Sequence, residues 1–207
     1  MLDHILLEVI AAIRRTFEAA LLQRQAVEER FQVDVFLGDV SWETSYSLPG
    51  EGSPPRIRAD ITLDWPTWSQ SAYRSWSIGE PAEDLPELVM EIALRVQRLS
   101  SVPDAAQILA SLPEESPPLG TDFLERSGPT LEQVYERSLE SLQYAAEVTY
   151  EGTYRLEEAV LKAAQDGGSA LDQALGPLAR WVASSLVRLG DLQLEFLPPD
   201  DEEGGRG

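Results

Sequence analysis

Apolar side chains recur three and four residues apart through residues 4–30, at Leu6, Val9, Ile10, Ile13, Phe17, Ala20, Leu21 and Val27, which predicts an amphipathic helix N-capped by Asp3. From Phe31 the period falls to two. Phe31, Val33, Val35 and Leu37 alternate with polar residues, and Val40, Trp42, Thr44, Tyr46 and Leu48 continue on the other parity. The slip at Gly38-Asp39 fits either a tight turn between two strands or a bulge in one. After a Pro- and Gly-rich loop at 49–55, a third alternating run spans Ile57 to Trp65. A fourth, from Trp68 to Ile78, reads as a half-buried strand.

Beyond Gly79 the spacing reads as helical. Leu85, Leu88, Val89, Ile92, Val96 and Leu99 form a stripe with Asp84 as cap, although Ile92 to Leu99 also alternates as a strand would. Pro103, Pro113, Pro117, Pro118 and Pro129 punctuate residues 101–129, which reads as a linker apart from a short helix near 104–112. Thr130-Leu131-Glu132-Gln133 has capping-box form and predicts a helix running to Gln165, supported by the acid-first pairs Glu151/Arg155 and Glu158/Lys162. Gly167-Gly168 ends it. Leu171, Leu175, Leu178, Val182, Leu186 and Leu189 mark a last helix, with a kink expected at Gly176-Pro177.

The fold predicted from this pattern is α+β: an N-terminal helix, a three- to four-stranded antiparallel meander, then a helical C-terminal half with a long antiparallel helical hairpin. The corresponding organisation is helix, sheet and helix over 1–100, a Pro-rich linker over 101–129, the hairpin as an extension over 130–197, and a disordered acidic tail over 198–207.

Composition narrows the chemistry. The 207 residues hold no cysteine and a single histidine, His4, which removes thiolate chemistry and disulfides and leaves no imidazole set for a zinc centre. A Ser-His-Asp triad would depend on His4 near the start of the chain, and His4→Ala is expected to leave fold and activity intact. No secretory signal pattern and no apolar run of membrane-spanning length stands in the sequence, so a cytoplasmic protein is expected. Sixteen Lys and Arg face 36 Asp and Glu, for a net charge of −20. With no strongly basic segment to neutralise phosphates, nucleic-acid binding is disfavoured. The acid is spread along the chain apart from Asp200-Asp201-Glu202-Glu203, which argues for a solvated surface over polyanion mimicry.

Two sets of residues stand out as candidate sites. Trp42, Trp68, Trp76 and Tyr73 fall in the predicted sheet and would serve as a stacking platform for a sugar or another small ligand, or simply as core. Trp181, Val187 and Tyr144 lie off the centre of the helical stripes and are candidate interface residues. Asp60 and Asp64 share a strand face but stand about 13 Å apart at the usual rise per residue, outside glycosidase geometry. No catalytic residue, metal ligand or cofactor is assigned. The expected role is a non-catalytic assembly or adaptor subunit binding itself or a partner protein through its helices. A Trp-based ligand or carbohydrate module is the alternative, and a polyanion mimic or acid-dependent hydrolase stands third.

Overall fold

The computed structural model describes residues 11–12, 14–20, 27–36, 38–48, 54–80, 84–118, 121–136, 141–165 and 170–198. Its strands are β1 (Val27–Phe36), β2 (Asp39–Ser47), β3 (Ile57–Trp65), β4 (Glu87–Leu99), β5 (Glu125–Arg126), β6 (Thr130–Glu136) and β7 (Ser141–Arg155). Its helices are α1 (residues 14–20 of the N-terminal segment), α2 (Thr67–Ser77), α3 (Ala105–Ser111), α4 (Glu158–Gln165) and α5 (Ala170–Gly190). All seven strands join one antiparallel sheet in the order β1-β2-β3-β4-β7-β5, with β6 also pairing β7.

Alternation decides the two faces. Trp42 and Tyr46 of β2, the odd positions Ile57 to Trp65 of β3, the even positions Leu88 to Val96 of β4, and Ala146, Val148, Tyr150 and Tyr154 of β7 all point to one buried face. The register aligns them strand to strand, as in Tyr46 opposite Ala59, Ala59 opposite Leu94, and Leu94 opposite Val148. Helix α5 lies on this face: Leu175, Leu178, Val182, Leu186 and Leu189 are buried, together with Ala179 and Ala183 on the same stripe. Phe17 of α1 stacks on Tyr46, with ring centroids 6.0 Å apart, and closes the core at the β2 end.

Tight local contacts hold the connections. The predicted ambiguity at Gly38-Asp39 resolves as a turn between β1 and β2, with Gly38 at φ 92°. The Asp39 carboxylate then accepts from the backbone N–H and hydroxyl of Thr67, each at 2.6 Å, and so caps the first turn of α2 across the sheet end. The Thr67 hydroxyl and N–H together hold the Asp39 carboxyl below its ordinary range. At the other end, β4 carries a bulge between Val96 and Leu99 with Arg98 at φ 62°. Arg98 is buried and donates to the Pro198 carbonyl at 2.8 Å, while Leu197 N–H donates to the Arg98 carbonyl, so the chain segment after α5 is clipped to this bulge.

The predicted three- to four-stranded meander followed by a long helical hairpin is overturned by this sheet. Residues 130–136 and 141–155 form the strands β6 and β7, and the helices among the described residues after them are the eight-residue α4 and the 21-residue α5. The helical reading follows from the capping-box form at Thr130–Gln133 and the acid-first pairs, but the even positions from Tyr144 to Tyr154 alternate as well and have Tyr, Val and Thr neighbours that favour pleated backbone. Glu151 does not pair with Arg155: Arg155 Nε reaches Glu87 Oε1 at 3.0 Å across the β4–β7 pair. Glu158 and Lys162, inside a genuine helix, do pair at 2.6 Å.

Two further segments change type. Residues 87–99, read as helix, become the central strand β4, buried on every even position of Leu88 to Val96. Residues 67–77, read as a strand, become α2: Ser69, Tyr73 and Trp76, which would fall on opposite faces of a strand, are three and four apart and share the inward face of a helix, while Trp68 and Ile78 are exposed. The region 101–129 carries α3, capped by Asp104 through Ala106 N–H at 2.9 Å, and β5, whose Glu125 bridges Glu115. His4 and residues 199–207 lie outside the described residues.

Candidate functional site

The Trp-rich set does not come together as a surface. Trp42 is fully buried against the core, Tyr73 is buried between Trp65 and Trp76 with ring centroids 5.9 and 5.8 Å away, and Trp76 packs on the same cluster. Trp68 alone among the four is exposed, at 50 %, because on a helix it points opposite to Ser69 and Tyr73. The candidate interface residues are also placed by the sheet. Trp181 packs edge-on against Tyr150 with centroids 4.7 Å apart, and Tyr144 and Val187 are half-buried, Tyr144 packing on the core. Burial raises the Tyr150 phenol above its ordinary value, and its hydroxyl donates to the Pro113 carbonyl at 2.6 Å.

The unexplained surface is elsewhere, on the β6–β7 hairpin. Leu131, Val134, Tyr135 and Leu142 are 46, 49, 58 and 44 % exposed. Leu131 is registered against Ala146, and Tyr135 against Leu142, so these side chains stand on the helix-bearing face. They extend the apolar face of the core past the region that α5 covers, since α5 contacts β3 and β4 and reaches β7 through Trp181 and Tyr150. Val134, opposite Gln143, stands on the other face. Among the described residues no strand pairs with the outer edge of β6, whereas β5 is covered by the Glu115 bridge.

The second face of the sheet is polar and acidic. Glu43, Thr62, Glu91, Glu151 and Glu125 align in one row across β2, β3, β4, β7 and β5. Glu91 and Glu151 are direct cross-strand partners, as are Glu151 and Glu125. Burial, then the charges of Glu151, Glu147 and Asp64, hold the Glu91 carboxyl above its ordinary range. Neighbouring rows are partly neutralised: Arg95 pairs with Glu132 and, at 3.2 Å, with Glu147, and Arg58 Nε donates to Asp60 Oδ2 at 2.8 Å. A groove of about 450 Å³ lies on the sheet at the β5–β7 junction, lined by Val89, Glu125, Arg126, Ser127, Glu151, Gly152 and Thr153. Among the described residues no group of three or more acids or imidazoles has the geometry to hold a metal ion.

Leu131, Val134 and Leu142 fall within the segment 130–165 that the capping-box form assigns to a helix. Tyr135 is missed altogether. The signal that identifies the hairpin is the alternation Leu131, Gln133, Tyr135 beside Tyr144, Ala146, Val148.

Comparison with protein-family models, with curated proteins and with solved structures finds no match for this chain. Among the described residues no helix is long and apolar enough to cross a membrane.

Proposed function

We propose that the protein is a non-catalytic assembly or adaptor subunit of the cytoplasm that binds another protein across the β6–β7 hairpin. The observation that carries this reading is the exposure of Leu131, Tyr135 and Leu142 on one face of a hairpin whose outer strand edge has no partner strand among the described residues. Scattered apolar residues on a surface need no explanation, but a contiguous set beside unpaired strand backbone is the combination that strand-adding and sheet-packing interfaces use. The helices are a poorer surface for this purpose than the spacing of their residues suggests. The apolar stripe of α5 is spent on its own sheet, and Trp181 lies against Tyr150.

The test is native mass measurement of the complex purified from source cells, repeated with Leu131→Glu/Tyr135→Glu and with Trp68→Glu as a surface control. Loss of the partner with the hairpin variant and its retention with the control supports the reading. Retention with both variants refutes it, and fractionation of the source cells checks the compartment. The ligand-platform alternative keeps only Trp68 as an exposed member, and a glycan-binding signal lost on Trp68→Ala would favour it.

A further inference from the structure

We infer that the β6 edge receives a second copy of this chain, β6 against β6 and antiparallel, about a two-fold axis at Gln133. This rests on the reading that the hairpin is the binding surface, and it names the partner that binds there. The edge in question is short. Beside it, β5 is already covered by the chain at residues 114–116: Arg126 N–H donates to the Glu114 carbonyl and Ser116 N–H to the Leu124 carbonyl, each at 3.0 Å. What is left without a partner strand among the described residues is the seven-residue length of β6, which a second β6 matches end to end.

A two-fold axis normal to the sheet keeps the helix-bearing faces of both copies on one side, which requires odd-numbered residues opposite odd-numbered ones. An axis at Gln133 then sets Leu131 opposite Tyr135 of the second copy, and Glu132 opposite its Val134. Since Leu131 is registered against Ala146, and Tyr135 against Leu142, each side of the axis carries an unbroken apolar row of Ala146, Leu131, Tyr135 and Leu142 across four strands. Ala146 already belongs to the core, so the row continues the core from one copy into the next. The residues it covers are the exposed ones of the hairpin, Leu131, Tyr135 and Leu142. On the axis itself two Gln133 amides meet, each holding both a donor and an acceptor, with Tyr144 of either copy as their neighbour in register.

Charge selects the same register. An axis at Glu132 sets two carboxylates directly opposite each other, and an axis at Val134 aligns residue 132 with residue 136, both glutamate in the sequence. With the axis at Gln133, Glu132 meets an apolar residue and its own charge is compensated by Arg95. The acidic row of Glu91, Glu151 and Glu125 is level with β5, off the end of β6 and away from this seam. What opposes association is the long-range repulsion of two chains of net −20, which salt screens, so the pair is expected to tighten as salt rises.

The chain holds no cysteine, so Gln133→Cys supplies its only thiol, at an exposed position. On the axis two such thiols stand within disulfide range, whereas two Leu131→Cys thiols stand about 13 Å apart along the strands. Incubation of the full chain with oxidised glutathione at micromolar protein is expected to link Gln133→Cys into a dimer and to leave Leu131→Cys monomeric. By light scattering, the wild-type mass should rise toward twice 22.9 kDa with protein concentration and with salt. Gln133→Lys and Gln133→Glu should each be monomeric, and an equal mixture of the two should dimerise, because unlike charges then face each other. Circular dichroism checks the fold of each variant, and the cysteine pair decides if a charge variant misfolds.

A wild type that stays monomeric at every concentration and salt, or a disulfide that forms equally through Leu131→Cys, overturns the inference. So does a dimer that both charge variants retain, or a mixture of folded variants that fails to associate. If the wild type is monomeric while Leu131→Glu/Tyr135→Glu still loses a native partner, that partner is a different protein and the hairpin reading stands. If the native complex survives the hairpin variant, the underlying reading falls as well.

Discussion

Gly152 shows how one position can be set by a neighbour far away in sequence. A Cβ there would lie 2.9 Å from Leu124 Cδ2 and 2.9 Å from the Phe123 carbonyl, because the segment before β5 crosses the face of β7 at this point. Gly152→Ala is therefore expected to destabilise by about 2 kcal/mol through overpacking, read as a lower midpoint in urea with an unchanged slope. Glu91 makes the opposite kind of prediction. Its carboxyl is raised by burial and by Glu151, Glu147 and Asp64, so the folded state holds this proton to higher pH than the unfolded chain. The Glu91 contribution is then least unfavourable below the unfolded value of 4.5, and stability is lost as pH rises through the folded value. Glu91→Gln should raise stability at pH 7 by about 0.5 kcal/mol, the size of a like-charge cross-strand pair, and the gain should vanish as the pH falls toward 4. Thermal unfolding of both proteins across that range decides it; a gain that persists at low pH would mean that charge is not its cause.

Among the elements, α5 and β7 meet in an aromatic contact. Trp181 meets Tyr150 edge-on at 4.7 Å, and the residues on either side of Trp181 on the helix stripe, Leu178, Val182 and Ser185, are fully buried. Trp181→Glu would place a carboxylate against the Tyr150 ring and remove a large apolar body, so it should cost about 3 kcal/mol or more. The expected observation is a lowered unfolding midpoint by circular dichroism, with partner binding by the remaining folded protein unchanged. Loss of the partner by a Trp181→Glu protein of native stability would return the interface to the helices. The legibility of the elements follows their context. The run Ile57 to Trp65 matches β3, and the short helix near Asp104 matches α3, because each has one periodicity bounded by clear punctuation. Residues 87–99 and 130–155 carry apolar positions compatible with both periods, and their pairing with each other is what selects the strand.

For the whole molecule, charge is the dominant global property. A net charge of −20 works against the compact state through self-repulsion, and the row Glu43, Glu91, Glu151, Glu125 concentrates part of it on one sheet face. Raising sodium chloride from about 0.05 to about 0.5 M should therefore raise the melting temperature by screening that repulsion. A fall would mean that the ion pairs of Arg95 and Arg155 contribute more than the repulsion removes.

Local chemistry in the sequence determined the exclusions and the well-bounded pieces. Without cysteine, and with His4 as the lone imidazole, no folding can create a thiolate or multi-histidine centre within one chain. The alternation of β3 and the apolar stripe of α5 also follow from residues within a few positions of one another. Tertiary structure alone decided that Thr67–Ser77 is a helix, that Glu87–Leu99 and Ser141–Arg155 pair at the centre of the sheet, and that Leu131, Tyr135 and Leu142 face outward. Period measures only which side chains can share a face. A strand also needs a partner for its backbone groups, and for β4 that partner is some fifty residues away, as Leu94 opposite Val148 shows, where no local pattern can display it.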